Sequence, residues 1–194
     1  APAGQTILIN SSLIEKRFTR YQDTDYEYYV LTLNKGGSSK SPNFTDNVRV
    51  KFEGFTIDNT KSFVFNTIAN SVDFDLVDDL TIVGWRRVLT TFNTAVSFDE
   101  STDGNITFKS PGLGIMFLPS GLAFFNARDN DIEEYTPVAF KFDLFQTFDN
   151  DHDNDGVLSH LEDLNSDQVF TTEDDDTDGD GTFNYLDLDD DGDG

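Results

Sequence analysis

Asp151, Asp153 and Asp155 alternate along the chain, Gly156 follows, and Glu162 stands twelfth counting from Asp151. Calcium, a hard ion that takes six to eight oxygens, is served by this spacing. Acids at loop positions 1, 3 and 5 converge on one ion, and Gly at position 6 permits a sharp turn. A backbone carbonyl serves at position 7 and an acid closes the shell at position 12. The first loop therefore offers Asp151, Asp153, Asp155, the Val157 carbonyl and Glu162. The pattern returns as Asp176, Asp178, Asp180, Gly181, the Thr182 carbonyl and Asp187. It begins again at Asp189, Asp191 and Asp193, and the sequence ends at Gly194. Two complete loops and one partial loop imply calcium as the cofactor. Ser159 and Asn184 fall at the ninth positions. His152 and His160 fall at positions 2 and 10, off the ligand set, which leaves zinc the weaker reading.

Charge separates this tail from the rest. Residues 149–194 hold eighteen Asp and Glu and no Lys or Arg, whereas residues 1–148 hold nineteen acids and all thirteen bases. Composition alone suits a disordered acidic tail. Glycine kept twice at position 6, each time with an acid at position 12, argues instead for order imposed by a cation. Without it, −18 on 46 residues repels itself. Extracellular-type loops bind with Kd of about 10⁻⁴–10⁻³ M, which points outside the cytoplasm. Loop starts lie 25 and then 13 residues apart, and a strand rather than a helix precedes Asp151. The wording Asp-Thr-Asp-Gly-Asp-Gly-x-x-Asn-x-x-Asp resembles the thrombospondin type-3 calcium repeats, without the cysteines of the animal modules. That resemblance implies a mostly irregular chain wrapped around ions. A short helical turn within 157–164 is compatible with it.

Composition also excludes. No basic stripe exists to displace phosphate counterions, so nucleic acid is not a partner. The chain has no cysteine, hence no disulfide, thiol catalysis or thiolate metal site. No run reaches the ~18 apolar residues of a membrane span, and no signal peptide stands at Ala1. Because the sequence stops inside a repeat it reads as a fragment, and a leader or lipid-bearing cysteine upstream is compatible with it. Both histidines lie in the tail, so no nucleophile–base pair for hydrolysis can be assembled. A calcium sensor is disfavoured, since no amphipathic helix pair is present to open.

The elements before the tail are mostly strands. Leu13, Arg17 and Arg20/Tyr21 at helical spacing suggest a short helix over 12–21. Residues 27–33 read as a strand and 35–47 as a Gly/Ser/Pro/Asn loop. Val48, Val50 and Phe52 alternate with Arg49, Lys51 and Glu53, the mark of a strand with one buried face. Short strands are expected at 62–65, 72–76, 106–109 and 114–118, with polar or charged loops at 97–104 and 124–135. Trp85, Val88, Leu89 and Phe92 form one helical stripe with Arg86 and Arg87 off it. Asp78 and Asp79 precede that helix, where its dipole favours anions. Val138 to Leu144 alternates again. Many strands around one short helix make an antiparallel α+β domain.

Four stretches carry a second resemblance: Val50-Lys-Phe-Glu-Gly54, Ile82-Val-Gly-Trp85, Leu118-Pro-Ser-Gly-Leu-Ala-Phe124 and Val138-Ala-Phe-Lys-Phe-Asp-Leu144. Over about residues 27–147 they resemble the FKBP-type peptidyl-prolyl cis–trans isomerases. The wording of 119–126 is similar to exported FKBP-like proteins of the Bacteroidetes, many of them lipoproteins. The resemblance implies an FKBP-like antiparallel sheet wrapped around one short helix. It also implies an aromatic cup, with Trp85 as floor and Phe52, Phe65, Val72, Ile82 and Phe140 as walls. Phe124 and Ile132 would stand at the rim. Phe52 and Phe124 replace tyrosines of the family pattern, Asn66 replaces its aspartate, and Thr81 replaces a valine. Aromatics alternating along strands also suit a plain core, and Trp85 on an apolar helix face suits one equally.

The expected organisation is an N-terminal extension at 1–26, an FKBP-like domain at 27–148 and a calcium-ordered acidic repeat tail at 149–194. Trp85, Phe52, Asn66 and Phe124 are the candidate catalytic residues, and Phe65, Val72, Thr81, Ile82, Ile132 and Phe140 the candidate substrate contacts. The expected function is prolyl isomerase or peptide-binding folding helper for exported proteins, with proline-containing clients, in a bacterial periplasm or at the outer-membrane surface. The alternative is a docking subunit of an outer-membrane protein assembly.

Overall fold

The computed structural model describes residues 11–57, 62–63, 71–78, 81–126 and 132–194. Strand β1 (Ile14–Tyr21) turns into β2 (Thr24–Asn34) through Gln22 and Asp23. Both turn residues have positive φ, 46° and 59°, the backbone of a tight hairpin turn. The sheet continues through β8 (Gly112–Leu118), β9 (Val138–Phe148) and β3 (Asn47–Thr56). The far edge of β3 pairs with two short strands, β4 (Ser62–Phe63) at one end and β5 (Val72–Asp75) at the other. All pairings are antiparallel. A separate hairpin joins β6 (Ser97–Glu100) to β7 (Ile106–Lys109).

Two expectations change. Residues 14–21 are a strand, not a helix. They sit on the sheet edge with Phe18 70% exposed, so burial imposes little alternation, and the β2 ladder decides the conformation. The sheet thus begins inside the stretch read as an extension. Within the polar stretch 97–104, Ser97–Glu100 is a fully exposed strand. It is tied to the body through Phe108, whose ring stacks on Phe145 at 4.2 Å and 13°. Phe145 is the extra residue of a bulge in β9 opposite Arg49 and Val50, and its carbonyl accepts the Ala95 N–H at 3.0 Å.

The α-helix of the body among the described residues, α1 (Val83–Leu89), lies against the sheet. Val83, Gly84, Trp85, Val88 and Leu89 are its buried face. With Val50, Met116, Leu118, Phe140, Phe142 and Leu144 from the strands they form the core. The helix approaches β8 closely because residue 84 has no side chain. A Cβ there would lie 2.2 Å from Leu118 Cδ1 and 3.1 Å from the Leu122 carbonyl oxygen. Leu118 is fully buried and has nowhere to move.

Gly84→Ala should therefore destabilise the fold although alanine is the better helix former. Overpacking costs about 1–3 kcal/mol against about 1 kcal/mol gained in propensity. Chemical denaturation should show a lower midpoint than for the parent chain; an unchanged or higher midpoint would contradict the close approach.

Candidate functional site

Trp85 is placed by α1 at the centre of an aromatic cluster. Phe52 of β3 and Phe140 of β9 each have ring centroids 5.0 Å from it, Phe74 of β5 lies at 5.7 Å and Phe142 at 6.0 Å. Phe52 and Phe140 meet edge to face at 6.1 Å. Phe124 joins through Phe140 at 6.4 Å. Ile82 and Phe124 are half-buried against this cluster, and Ile132 is buried in it. Trp85 itself is 5% exposed.

Most of the expected cup is thus brought together: Trp85, Phe52, Phe140, Phe124, Ile82 and Ile132. Val72 is half-buried on β5, two residues before Phe74. Phe74 was not among the candidates, although the alternation from Val72 to Leu76 puts it on the same face. The Thr81 hydroxyl donates to the Asp75 carbonyl at 2.7 Å. With Ile82 it borders an open cleft of about 700 Å³ beside Tyr21, Tyr26 and Phe125. Phe65 and Asn66 lie outside the described residues. The cluster presents aromatic surface with no hydroxyl at Phe52 or Phe124. It can desolvate an apolar side chain, and among the described residues its rings bring no acid, base or nucleophile.

The tail is irregular, with single 3-10 turns at Ser159–Leu161, Glu173–Asp175 and Asn184–Leu186. Asp151, Asp153 and Asp155 converge, as do Asp176, Asp178 and Asp180, and Asp189, Asp191 and Asp193. Each loop is shaped by its own acids. Asp151 accepts the Asn154 and Gly156 N–H groups at 2.8 and 3.2 Å, and Asp155 accepts that of Val157 at 2.6 Å. Asp176 and Asp180 repeat this with Gly179, Gly181 and Thr182. The ninth-position residues fold their loops. Ser159 Oγ accepts the His152 N–H at 3.1 Å, and Asn184 Oδ1 accepts that of Thr177 at 2.9 Å. Asp187, at the twelfth position of its loop, accepts the Asp189 N–H at 3.0 Å through Oδ1.

A further loop has the same geometry. Asp163 accepts the Asp167 and Gln168 N–H groups at 3.1 and 2.8 Å, and Asp167 accepts that of Val169 at 2.7 Å. Gln168 occupies the sixth position with φ 68°, where Gly156 has 101° and Gly181 97°. The 25-residue gap between loop starts is thereby divided, and starts fall at 151, 163, 176 and 189. Asn165 and Gln168 in place of Asp and Gly hid this loop from the motif.

Glu162 is a buried acid of the tail. It is 2% exposed, and neither carboxylate oxygen has a hydrogen-bond partner. Asp153 and Asp190 each offer an oxygen in the same group, all within 4.8 Å of one another. Asp153 Oδ2 and Asp190 Oδ1 are likewise buried and unpartnered. Burial, then the charges of Asp153 and Asp190, push the Glu162 carboxyl up to about 8. Burial raises Asp153 and Asp190 too. Convergent, undersatisfied carboxylates of this kind could hold a hard cation. Asp190 stands at the second position of its own loop, and only the fold reveals its partners.

The tail also meets the body. The Asn150 amide donates to the Thr45 carbonyl at 3.0 Å and to Asp75 at 3.2 Å, and its oxygen accepts from Asn47 at 2.8 Å. His152 Nε2 lies 2.9 Å from Asp75 Oδ2 while Nδ1 lies 2.7 Å from Ser159 Oγ. Tyr185 stands edge-on to Phe170 at 4.9 Å and to His152 at 5.7 Å. Phe170 and Tyr185 face the outer side of α1 across a cleft of about 220 Å³ lined by Arg86 and Arg87. Burial draws the Arg86 pKa down.

Residues 152–194 match the family model "BamM C-terminal". Among solved structures, the three FKBP domains of wheat FKBP73 are similar at 14% identity and TM-score 0.50, over 69% of this chain and 51% of that one. Escherichia coli FkpA is 20% identical at TM-score 0.46, over 62% and 47%. A peptidyl-prolyl cis–trans isomerase of Pseudomonas syringae pv. tomato is 21% identical at TM-score 0.46, over 62% and 74%. The aligned part thus spans about half the length of FkpA and of the wheat protein. The body has the FKBP fold, an antiparallel sheet packed on one short helix. No curated protein matches the chain. Among the described residues no helix is long and apolar enough to cross a membrane.

The raised Glu162 carboxyl sets a pH dependence for the cation-free chain. The folded tail holds that proton up to about pH 8, whereas an unfolded glutamate releases it near 4.3. Its contribution to stability is complete below the unfolded value and lost as pH rises through the folded one. In chelator, the tail should resist protease better at pH 5 than at pH 8, and Glu162→Gln should shrink that difference. Equal resistance at both pH values would contradict the burial of this acid.

Proposed function

We propose that the chain is a folding helper for exported proteins that turns prolyl peptide bonds, carried with a tail ordered by calcium. The observation that carries this reading is the pair of 5.0 Å contacts holding Phe52 and Phe140 against Trp85. A peptide bond crosses a barrier of about 18–20 kcal/mol when it turns. Before proline the trans form is favoured by only about 0.5–1 kcal/mol, so a client gains mainly in rate. Trp85 would floor the prolyl ring, with Phe52, Phe140 and Ile82 around it and Phe124 and Ile132 above. Stripping water from the amide favours the twisted state, whose nitrogen has lost resonance. Lowering the barrier by about 4 kcal/mol would suffice for roughly a thousandfold. Without hydroxyls at Phe52 and Phe124 the twisted carbonyl gains less support, and a slow catalyst is expected. The preferred client segment is apolar before its proline.

Calcium would be held by Asp151, Asp153, Asp155 and Glu162 in the first loop and by Asp176, Asp178 and Asp180 in the third, with carbonyls of Val157 and Thr182 in reach of the pattern. Asp189, Asp191 and Asp193 supply a further partial set. Affinities of about 10⁻⁴–10⁻³ M fit the periplasm or the outer-membrane surface.

A second reading is favoured by two observations. Trp85 is only 5% exposed, as a core residue would be, and the tail matches the BamM C-terminal model. In that reading the body is an FKBP-fold docking subunit of an envelope assembly, and the aromatic cluster is simply its core.

An isomerase assay separates the two. The chain should accelerate cis–trans exchange of a Phe-Pro peptide, and Trp85→Ala should remove the acceleration. Phe124→Tyr should raise kcat/KM about two- to tenfold, because a hydroxyl hydrogen bond is worth about 0.5–1.5 kcal/mol. A parent rate equal to the uncatalysed one, unimproved by Phe124→Tyr, would leave the docking reading standing. For the tail, 10 mM calcium on a site of Kd about 10⁻⁴ M adds about 2.7 kcal/mol. Thermal unfolding should shift upward accordingly, and an unmoved transition would count against calcium.

A further inference from the structure

We propose that Asp190 of the last loop is a ligand to the cation of the first loop, and that this shared ion is the clasp holding the tail closed on helix α1. The inference rests on the calcium reading above.

Three acids from the two ends of the tail meet at this point. Asp153 belongs to the first loop, Glu162 ends it, and Asp190 comes from the loop that starts at Asp189. One oxygen from each lies within 4.8 Å of the others. Two oxygens on one calcium, each at about 2.3–2.6 Å, lie at most about 5 Å apart, so the spacing fits a common ion. Glu162 is buried with both oxygens unpartnered, and Asp153 Oδ2 and Asp190 Oδ1 share that condition. A surface acid without an ion would turn to water. These carboxylates are instead aimed at one another inside the tail, an arrangement that only a cation or protons can neutralise.

The position of the ion gives it a mechanical role. The 3-10 turns Ser159–Leu161 and Asn184–Leu186 pack against each other beside it. Phe170 and Tyr185 form the small apolar layer that covers the outer side of α1, and both lie in the segment between Glu162 and Asp190. Joining 162 to 190 through one ion closes that segment into a ring. His152, next to the first ligand, then ties the ring to Asp75 of β5. Losing the ion would open the ring and release Phe170 and Tyr185 from the body.

Calorimetric calcium titration of the whole chain tests this, with Asp190→Asn, Glu162→Gln, the double variant and, as control, Glu173→Gln at an exposed acid of the tail outside every ligand set. In the parent chain at least one site should bind at or below millimolar calcium. Asp190→Asn and Glu162→Gln should each weaken the same site about tenfold or more, and the double variant should weaken that one site further, since both acids serve one ion. Glu173→Gln should leave that site unchanged. Limited proteolysis should show calcium protecting the 163–188 segment in the parent and failing to do so in Asp190→Asn. Unchanged affinity at every site in Asp190→Asn, or losses that fall on different sites in the two single variants, would overturn the shared ligand while leaving calcium binding intact. A parent chain that takes up no calcium would overturn both.

Discussion

Carboxylates brought together out of water are the constraint on which the second half of this molecule depends. Two unit charges about 5 Å apart at an effective dielectric of 20 repel by about 3 kcal/mol. Glu162, Asp153 and Asp190 make three such pairs within a tail that has no lysine or arginine to offset them. Burial adds to the repulsion in raising Glu162. The tail nevertheless keeps a defined course, because every loop spends its acids on its own backbone. Asp151, Asp163 and Asp176 each gather the N–H groups of the turn that follows. The loops are prepared by hydrogen bonds, and their closure onto one another depends on what neutralises the acid that none of them satisfies.

Helix α1 is where the two halves meet. Its inner face puts Trp85, Val88 and Leu89 into the core, and Gly84 lets it sit close enough to β8 for Trp85 to reach Phe52 and Phe140. Its outer face carries Arg86 and Arg87 toward Phe170 and Tyr185. Seven residues cannot hold a helix by propensity alone, so packing must hold it on both sides. The polar seam beside it, Asn150 with Thr45 and Asp75 and His152 with Asp75, uses the first residues after β9. The tail is thereby fastened at its origin, and order further along decides how much of α1 it covers.

What could be read from the residues follows the same physics. Strands β3 and β9 announce themselves because one face is buried and the other is not, so Val48, Val50 and Phe52 alternate with charges. The strand at Ile14–Tyr21 does not, because an edge strand with Phe18 exposed has no buried face to enforce a period of two. Ser97–Glu100 is exposed throughout and offers no period at all. The aromatic cluster around Trp85 was legible through the Gly84-Trp85 pair, whereas Phe74 needed the pairing of β5 with β3 to be placed beside Trp85. The loops with Gly at position 6 were legible and the one at Asp163 was not. Gln168 bears the positive φ that glycine ordinarily marks, and its cost is borne by the Asp163 and Asp167 bonds around it. Asp190 was invisible for a different reason: its partners lie in another repeat, and spacing within one motif says nothing about contacts between motifs.

The two functional readings differ in which face of α1 does the work, and the chemistry of each face bears on them. The inner face offers desolvation without hydroxyls. Desolvation acts on the amide of any prolyl segment, and the isomerase reading would rest on it, since Phe52 and Phe124 bring no hydroxyl to the cluster. What such a cup would require is access to Trp85, and a ring that is 5% exposed grants it only if the side chains packed around it yield. The outer face requires no such movement. There the guanidinium groups of Arg86 and Arg87 lie beside Phe170 and Tyr185 in a small cleft whose walls come from both halves of the chain. A cleft with one wall supplied by the tail exists only while the tail is closed. The inner face therefore depends on motion within the body, and the outer face on order within the tail.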